Sequence, residues 1–395
     1  MVYWSSLTLS ALALSCAQAV FGQQVPLQVQ KVQLHKDALD RAHRLLRHNP
    51  LIDTHNDLPM NLAFEYKGKI NNLNLTHLDW GHTDIERIRQ GHLSGQFWSV
   101  YYDCELTETN QVLKAMESID AIKRMVNLYP NTFELATSTK EFYKALRHGR
   151  VASAMGMEGG QMIDSSMVAL RQFYELGIRY MTLTHNCHTP WAESCCDPNP
   201  PTFDKGLGLT EFGKKIILEM NRLGMMVDIS HVAHATMHAA LNTTRAPVLF
   251  SHSSSHALCG IERNVPDAVL ERLDETDGVV MVNFYNSFVQ CDLSKEATLK
   301  DVADHVEHIA SVAGRHRVGI GADYNGIERT PTGLEDVAKY PDLFAELIRR
   351  GWSDHDLIGL AGKNFLRVWR KVEIVSEEIQ KTHELPCEDR LEDGL

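Results

Sequence analysis

The sequence predicts a (β/α)8 barrel, and three observations carry that prediction. Eight short apolar runs, rich in β-branched and aromatic residues, alternate with helix-length segments of 3.6-residue periodicity. No linker rich in Pro, Gly or Ser divides them, so the alternation belongs to one domain. Six of the eight runs end at a titratable or metal-competent residue, as expected where strand ends converge on one face. A doubly wound open sheet is the alternative reading of the same alternation.

Before the first run, Met1 to Gly22 holds no charged side chain, and its apolar stretch Leu7 to Val20 closes on Ala17-Gln18-Ala19. A small-x-small end to a short apolar stretch reads as a secretory signal peptide, 1–22, too short for a comfortable membrane span. Residues 23–50 form a lead-in, with helical spacing and many basic side chains from Val29 to His48. The runs then follow as Leu51 to His55, Phe97 to Tyr101, Val151 to Met157, Tyr180 to Thr184, Met225 to Ser230, Pro247 to Ser251, Val279 to Phe284 and Val318 to Gly321. Helices after Glu335 and over His355 to Glu378 close a catalytic domain spanning 51–375, and 376–395 is a tail.

Composition narrows the function. The chain has 395 residues, and 39 Lys+Arg against 51 Asp+Glu give a net charge of −12, which excludes nucleic acid as a default partner. With 44% hydrophobic and 23% charged residues it is ordinary globular material rather than a disordered chain. Twenty histidines direct attention to a His-rich site, since imidazole is the commonest metal ligand. Cleavage of the leader removes Cys16 and leaves Cys104, Cys187, Cys195, Cys196, Cys259, Cys291 and Cys387. In an oxidising compartment that odd count predicts pairs plus one thiol that is free or joins a second chain. The sequons at Asn74 and Asn242 suit the same compartment as glycosylation sites. The charged end Glu388 to Leu395 carries no apolar anchor signal, so a secreted, soluble protein is expected and membrane attachment is not supported by this tail.

The chemistry gathers at the ends of the runs. His55 and Asp57 are spaced i, i+2, which on an extended strand puts both on one face to chelate one ion. Glu158 ends the third run, offers two oxygens that can bridge two metals, and is followed by Gly159 and Gly160, which let backbone come close. His231 and His252 supply imidazoles suited to Zn²⁺. Three or fewer protein ligands per ion leave a position open for water, the mark of a catalytic site. Other patterns are set aside. His231, His234 and His238, like His252 and His256, match a helical stripe, but such a stripe would lack carboxylates; His305 and His308 read the same way. The sequence has no His-Glu-x-x-His, no complete dinucleotide fingerprint or P-loop, and no Gly-x-Ser-x-Gly around Ser253, Ser254 and Ser255.

These residues resemble the renal or membrane dipeptidases, zinc metallopeptidases built on a (β/α)8 barrel. The resemblance runs through Ile52-Asp53-Thr54-His55-Asn56-Asp57-Leu58-Pro59, Gly95 to Val100, Met157-Glu158-Gly159-Gly160, Leu183 to Cys187 with Thr189-Pro190-Trp191, Asp228 to His231, Phe250 to Ser254, Arg263 to Asp267, Val282 to Asn286 and Gly321-Ala322-Asp323. It covers the chain from about Leu51 to Arg370. It implies two Zn²⁺ ions, one held by His55, Asp57 and Glu158, the other by Glu158, His231 and His252. It further implies that His185 polarises the scissile carbonyl, that Arg263 with Tyr285 grips the substrate's carboxylate, and that Asp323 handles protons. Substrates of the family are dipeptides with a free carboxyl end, a D-residue there being tolerated, and for some members cysteinyl-glycine conjugates and β-lactam-like amides.

Cys104 and Cys187 lie just beyond two strand ends, as do Cys259 and Cys291, so each pair could staple loops on the active face, and the resemblance pairs them in this way. Cys387 remains in the tail, where relatives join two subunits, implying a homodimer. The chain departs from the family at Asn325, where a second Asp is frequent, and at Cys195-Cys196, an adjacent pair open to reading as free thiols or as a vicinal bond. The expected function is therefore a secreted di-zinc dipeptidase acting on small peptides. Another bimetal amidohydrolase on the same barrel and an inactive binding relative are its rivals.

Overall fold

The computed structural model describes residues 27–104, 110–292 and 294–394. The expected signal peptide, 1–22, lies outside the described residues. Nine strands form one parallel sheet: β1 (Leu51–Asn56), β2 (Leu93–Tyr101), β3 (Phe133–Leu135), β4 (Val151–Glu158), β5 (Ile178–Thr182), β6 (Met226–Asp228), β7 (Val248–Phe250), β8 (Val279–Val282) and β9 (Val318–Ile320). Pairing runs β1–β2, β2–β4 and then in sequence order from β4 to β9, and β9 returns to β1 through Asp53 opposite Ile320. Eight strands thus close into a barrel with helices between them, as the alternation predicts. The ninth, β3, is additional. It pairs with Val151 to Ser153 of β4, whereas β5 takes Met155 to Glu158 and β2 lies along Ala152 to Glu158. Its residues Phe133-Glu134-Leu135 are broken by a charged side chain and make no apolar run, so β3 leaves no mark in the sequence pattern.

Side-chain alternation sorts the strands into two faces. On β2, Trp98 and Val100 join the buried layer beneath the helices, and Phe97 joins the barrel interior. The interior cluster holds Ile52, Phe97, Tyr180, Met226, Leu249 and Met281 from the strands and Phe365, Leu366, Val368, Trp369 and Val372 from the helix Asn364–Lys381. The rings of Phe97 and Trp369 meet edge to face with centroids 5.2 Å apart, and Phe97 stacks on Tyr180 at 5.5 Å. Room for Tyr180 comes from Gly156, where a Cβ would lie 1.9 Å from its ring. Helix Asn364–Lys381 runs through residues 375 and 376, where the sequence pattern placed the end of the domain.

The lead-in is a helix, Leu27–His48, that buries Ala38, Ala42, Leu45 and Leu46 against the helix Tyr340–Arg349. Helix boundaries follow local chemistry: Thr210 caps Glu211–Leu223 by accepting from Gly213 N, and Gly224 ends it at φ 88°. Among the described residues, no helix is long and apolar enough to cross a membrane.

Several predicted strands end earlier than their apolar runs. Thr184, Ser230, Ser251, Phe284 and Gly321 all lie past the last paired residue of their strands. There the backbone leaves the ladder, and His231 (φ 60°) and Asp323 (φ 69°) take left-handed conformations that side-chain-bearing residues rarely adopt.

Candidate metal centre

The residues singled out at the strand ends meet in one buried cluster. His55 Nε2 lies 3.3 Å from Asp57 Oδ2 and 3.3 Å from Glu158 Oε2. The other oxygen of the same carboxylate, Oε1, is 3.2 Å from His252 Nε2 and 3.3 Å from His231 Nε2. Glu158 therefore stands between two donor sets, one on each oxygen. Atoms that share a tetrahedral zinc ion are held about 3.3 Å apart by bond lengths near 2.0 to 2.2 Å. These separations match that spacing, and the N, O donor chemistry is that of zinc.

Asp57 reaches the cluster by a different route from the one its spacing suggests. It lies beyond β1, at the residue preceding the helix Leu58–Tyr66, with φ −98° and ψ 19°, and β1 shifts register between Asp53 and Asn56. The i, i+2 pairing is kept by this turn rather than by an extended strand.

Hydrogen bonds behind the cluster fix the tautomer of each imidazole. Tyr180 OH donates to Thr54 O at 3.0 Å, so its oxygen is free to accept from His55 Nδ1 at 2.8 Å. Ser251 Oγ donates to Asp228 Oδ2 at 2.6 Å and so accepts from His252 Nδ1 at 2.8 Å. His231 Nδ1 donates to Asn186 Oδ1 at 3.2 Å. In its neutral form each ring therefore turns an unprotonated Nε2 toward Glu158, the arrangement in which imidazole ligates a metal. His55 Nε2 and Asp57 Oδ1 are buried without hydrogen-bond partners. Groups of this kind are what a cation would satisfy.

Electrostatics keep two of these rings neutral and favour the charged form of the third. Burial raises the Asp323 carboxyl well above the ordinary range, the charges of Asp57 and Glu158 adding to the effect against His55 and Arg263. Burial also drives His231 and His252 well below the usual imidazole value, with Arg263 contributing. For Glu158, burial pushes upward but His55, His231 and His252 outweigh it and hold the carboxyl low. Burial pushes His55 downward, but Tyr180, Glu158 and Asp57 outweigh it and raise its imidazole well above the ordinary value, so that a proton on His55 serves the carboxylates that repel one another where a cation would otherwise do so.

The remaining predicted residues surround this cluster. Asp323 Oδ1 is 4.0 Å from His55 Nε2, and its Oδ2 accepts from Asn283 Nδ2 at 2.9 Å. The ring of His185 lies 4.4 Å from that of His231 and 4.8 Å from that of Tyr101, with Nε2 3.8 Å from Glu158 Oε1 and Nδ1 buried without a partner. Burial lowers its pKa, keeping the imidazole neutral. Arg263 is 3% exposed, donates to Ser253 Oγ at 2.9 Å and to His252 O at 2.8 Å, and has no carboxylate within 4 Å among the described residues. Burial brings its pKa down to about 10, still charged at neutral pH. Tyr285 packs edge-on against Phe288 at 4.7 Å, burial and the nearby Glu328 raise its phenol pKa, and the Arg263 guanidinium lies 5.2 Å from the Phe288 ring.

Cys104 is bonded to Cys187 and Cys259 to Cys291, the two expected staples, and Cys195 is bonded to Cys196. Cys387 is free and half-buried. The histidines set aside stay out of the cluster: His305 bonds Ser255 N and Val289 O, His308 bonds Asp267, and His234 bonds Asn264 O. Ser253 is a hydroxyl that positions Arg263. The supporting residues Tyr180, Ser251, Asp228, Asn186 and Asn283 escape a reading that looks for ligands. Their one sequence signal is position, within a few residues of a strand end.

Comparison with known proteins agrees with this geometry. The model of the membrane dipeptidase family (peptidase family M19) matches residues 39–383. An uncharacterized dipeptidase of Schizosaccharomyces pombe is 45% identical over 361 residues, covering 88% of this chain and 86% of the relative. Dipeptidase 3 of Rattus norvegicus is 43% identical over 339 residues, covering 86% of this chain and 68% of its own length. The solved metallo-peptidase dipeptidase AC superposes with a TM-score of 0.74 at 26% identity, covering 82% of this chain and 98% of that one. A barrel whose strand ends gather two donor sets on one carboxylate, matched over this length, belongs to the membrane dipeptidase family.

Proposed function

We propose that the chain is a secreted di-zinc dipeptidase that hydrolyses dipeptides bearing a free C-terminal carboxylate. The observation that carries this reading is Arg263, a buried cation that has no carboxylate partner among the described residues and donates to the backbone of His252. A buried charge of this kind is costly unless something pairs with it, and a substrate carboxylate is the natural partner.

His55, Asp57 and Glu158 would hold one ion and Glu158, His231 and His252 the other; when bound, the ions supply Lewis acidity and lower the pKa of the attacking water. Arg263 binds the dipeptide's carboxylate, with Tyr285 closing the same side, and so sets the scissile bond over the cluster. His185, neutral and with a ring nitrogen free, donates to the carbonyl oxygen as negative charge develops there. Asp323, oriented by Asn283, accepts the proton of the attacking water and returns it to the departing amine.

Secretion, glycosylation and a disulfide-linked homodimer complete the proposal. Asn74 and Asn242 are both exposed, as acceptors must be. Cys387 would join two subunits; non-reducing electrophoresis of wild type against Cys387→Ser decides this, a dimer that survives the substitution excluding the link. The function itself is tested by metal analysis of the purified protein together with turnover of dipeptides and of the corresponding dipeptide amides. Two zinc ions per chain and a strong preference for the free acid are expected. Equal rates on acid and amide would point to a different amidohydrolase.

A further inference from the structure

Cys195 and Cys196 are neighbours in sequence, joined to each other, and set against the metal centre: both sulfurs lie within 4.8 Å of a ring nitrogen of His231. Their backbone is wired to two histidines of the site. Cys195 N donates to His231 O at 3.0 Å. Cys196 N donates to Ser194 Oγ at 3.1 Å, and that hydroxyl donates to His185 O at 2.5 Å.

His231 depends on such contacts more than an ordinary residue does. Its φ of 60° is unfavourable for a residue with a Cβ, and such a conformation persists only where the surroundings hold it. Its carbonyl accepts from two donors, Cys195 N and Thr184 Oγ1 at 3.1 Å. One of the two is Cys195 itself, and Ser194, which donates to His185 O, precedes it, so the ring through Cys195 and Cys196 constrains the backbone behind both histidines. Opening the ring returns that segment's torsional freedom and loosens what holds His231 and His185.

We propose that Cys195–Cys196 is a reversible thiol–disulfide modification site, and that its reduction loosens His231 and His185 and slows the enzyme. Cys196 reaches solvent. A small-molecule thiolate attacks Cys196 Sγ, the Sγ–Sγ bond breaks, and its electron pair leaves on Cys195 Sγ, which takes up a proton. A second thiolate then attacks the small molecule's sulfur in this mixed disulfide, and Cys196 leaves with the electron pair and takes up a proton, so that two protein thiols form and one small-molecule disulfide is released. The effect on turnover rests on the dipeptidase reading, whereas the effect on metal retention does not.

The test titrates the zinc-loaded protein with a water-soluble phosphine, which reduces disulfides while chelating zinc far less than a dithiol does. Differential alkylation and peptide mapping report which cysteines have opened. Where Cys195 and Cys196 are alkylated and the other pairs intact, zinc release to a chromogenic chelator is expected to be about fivefold faster or more, and kcat about fivefold lower with KM within about twofold. Re-oxidation with diamide of a sample left unalkylated restores both. The double variant Cys195→Ser, Cys196→Ser should show the fast release from the outset and no response to phosphine. Unchanged zinc release with both cysteines open, or a variant indistinguishable from oxidised wild type, overturns the proposal. Failure of the untreated protein to cleave any dipeptide would overturn the functional reading instead, and zinc release alone would then decide this one.

Discussion

His231 and His252 face each other through Nε2 atoms 2.9 Å apart, although each ring donates its proton on the far side, to Asn186 and to Ser251. Two lone pairs directed at one another, beside a carboxylate oxygen, are a costly arrangement without a cation among them. Stripping the protein with a chelator is therefore expected to lower its unfolding temperature by about 5 °C or more, since an ion bound only by the folded chain stabilises it by mass action. Scanning calorimetry before and after chelation, with recovery on adding Zn²⁺, checks this. An unchanged Tm would mean that the cluster is satisfied without metal.

Asp323 is expected to matter for proton transfer rather than for holding metal. Its nearer oxygen is 4.0 Å from His55 Nε2, beyond the spacing of the other donors, and its second oxygen is engaged by Asn283. Asp323→Asn should lower kcat by about 10² or more, the scale of general acid–base catalysis, with zinc content kept. Loss of zinc in step with activity would assign it to the ligands.

Gly326 limits how closely the chain can pass the site. A Cβ there would stand 2.3 Å from Asp57 Oδ2 and 2.7 Å from Asp323 Oδ1. Its φ is not in the left-handed region, so Gly326→Ala acts by crowding alone. The variant should fold with the metal-free Tm within about 2 °C of wild type, while zinc is lost from the side of the centre that Asp57 serves. Full retention of two zinc ions would show that Asp57 can move without penalty.

His82 gives a pH signature away from the ligands. Burial, with Arg87 nearby, lowers its pKa from the ordinary 6.5 to about 4, and its Nδ1 accepts from Asn325 N at 2.9 Å. The unfolded chain takes up a proton at higher pH than the folded chain does. The contribution to stability is accordingly complete above pH 6.5 and is lost as pH falls toward about 4. His82→Asn keeps an acceptor for Asn325 and cannot titrate. Urea denaturation across this range should show a shallower loss of stability on acidification in the variant than in wild type, and parallel curves would refute the assignment.

The departure at Asn325 has a plain structural reading. Its side chain turns away from the cluster, donating to Asn61 at 2.7 Å and accepting from His82 N at 3.3 Å. Its place in the chain brings it near the site, but its contacts tie loops together.

Much of the barrel and the ligand set was legible because both rest on repeated local signals: alternating apolar runs, and metal-competent residues where those runs stop. The rest depended on backbone events with no such repeat. The turn that carries Asp57, the left-handed residues His231 and Asp323, and the three-residue β3 are each specified by tertiary contacts. The tautomer-setting partners were hidden for a similar reason. Tyr180 lies far from His55 in sequence, and only closure of the barrel makes them neighbours.

The plug formed by the helix Asn364–Lys381 has a consequence for the order of biosynthesis. Trp369 packs on Phe97, Phe97 on Tyr180, and Tyr180 orients His55. The most N-terminal ligand is thus braced through a column whose base is synthesised after all five ligands. A nascent chain that has already exposed all five ligands still lacks the base of that column. Full ordering of the His55 side of the centre is accordingly expected to wait until this helix has been made and has docked.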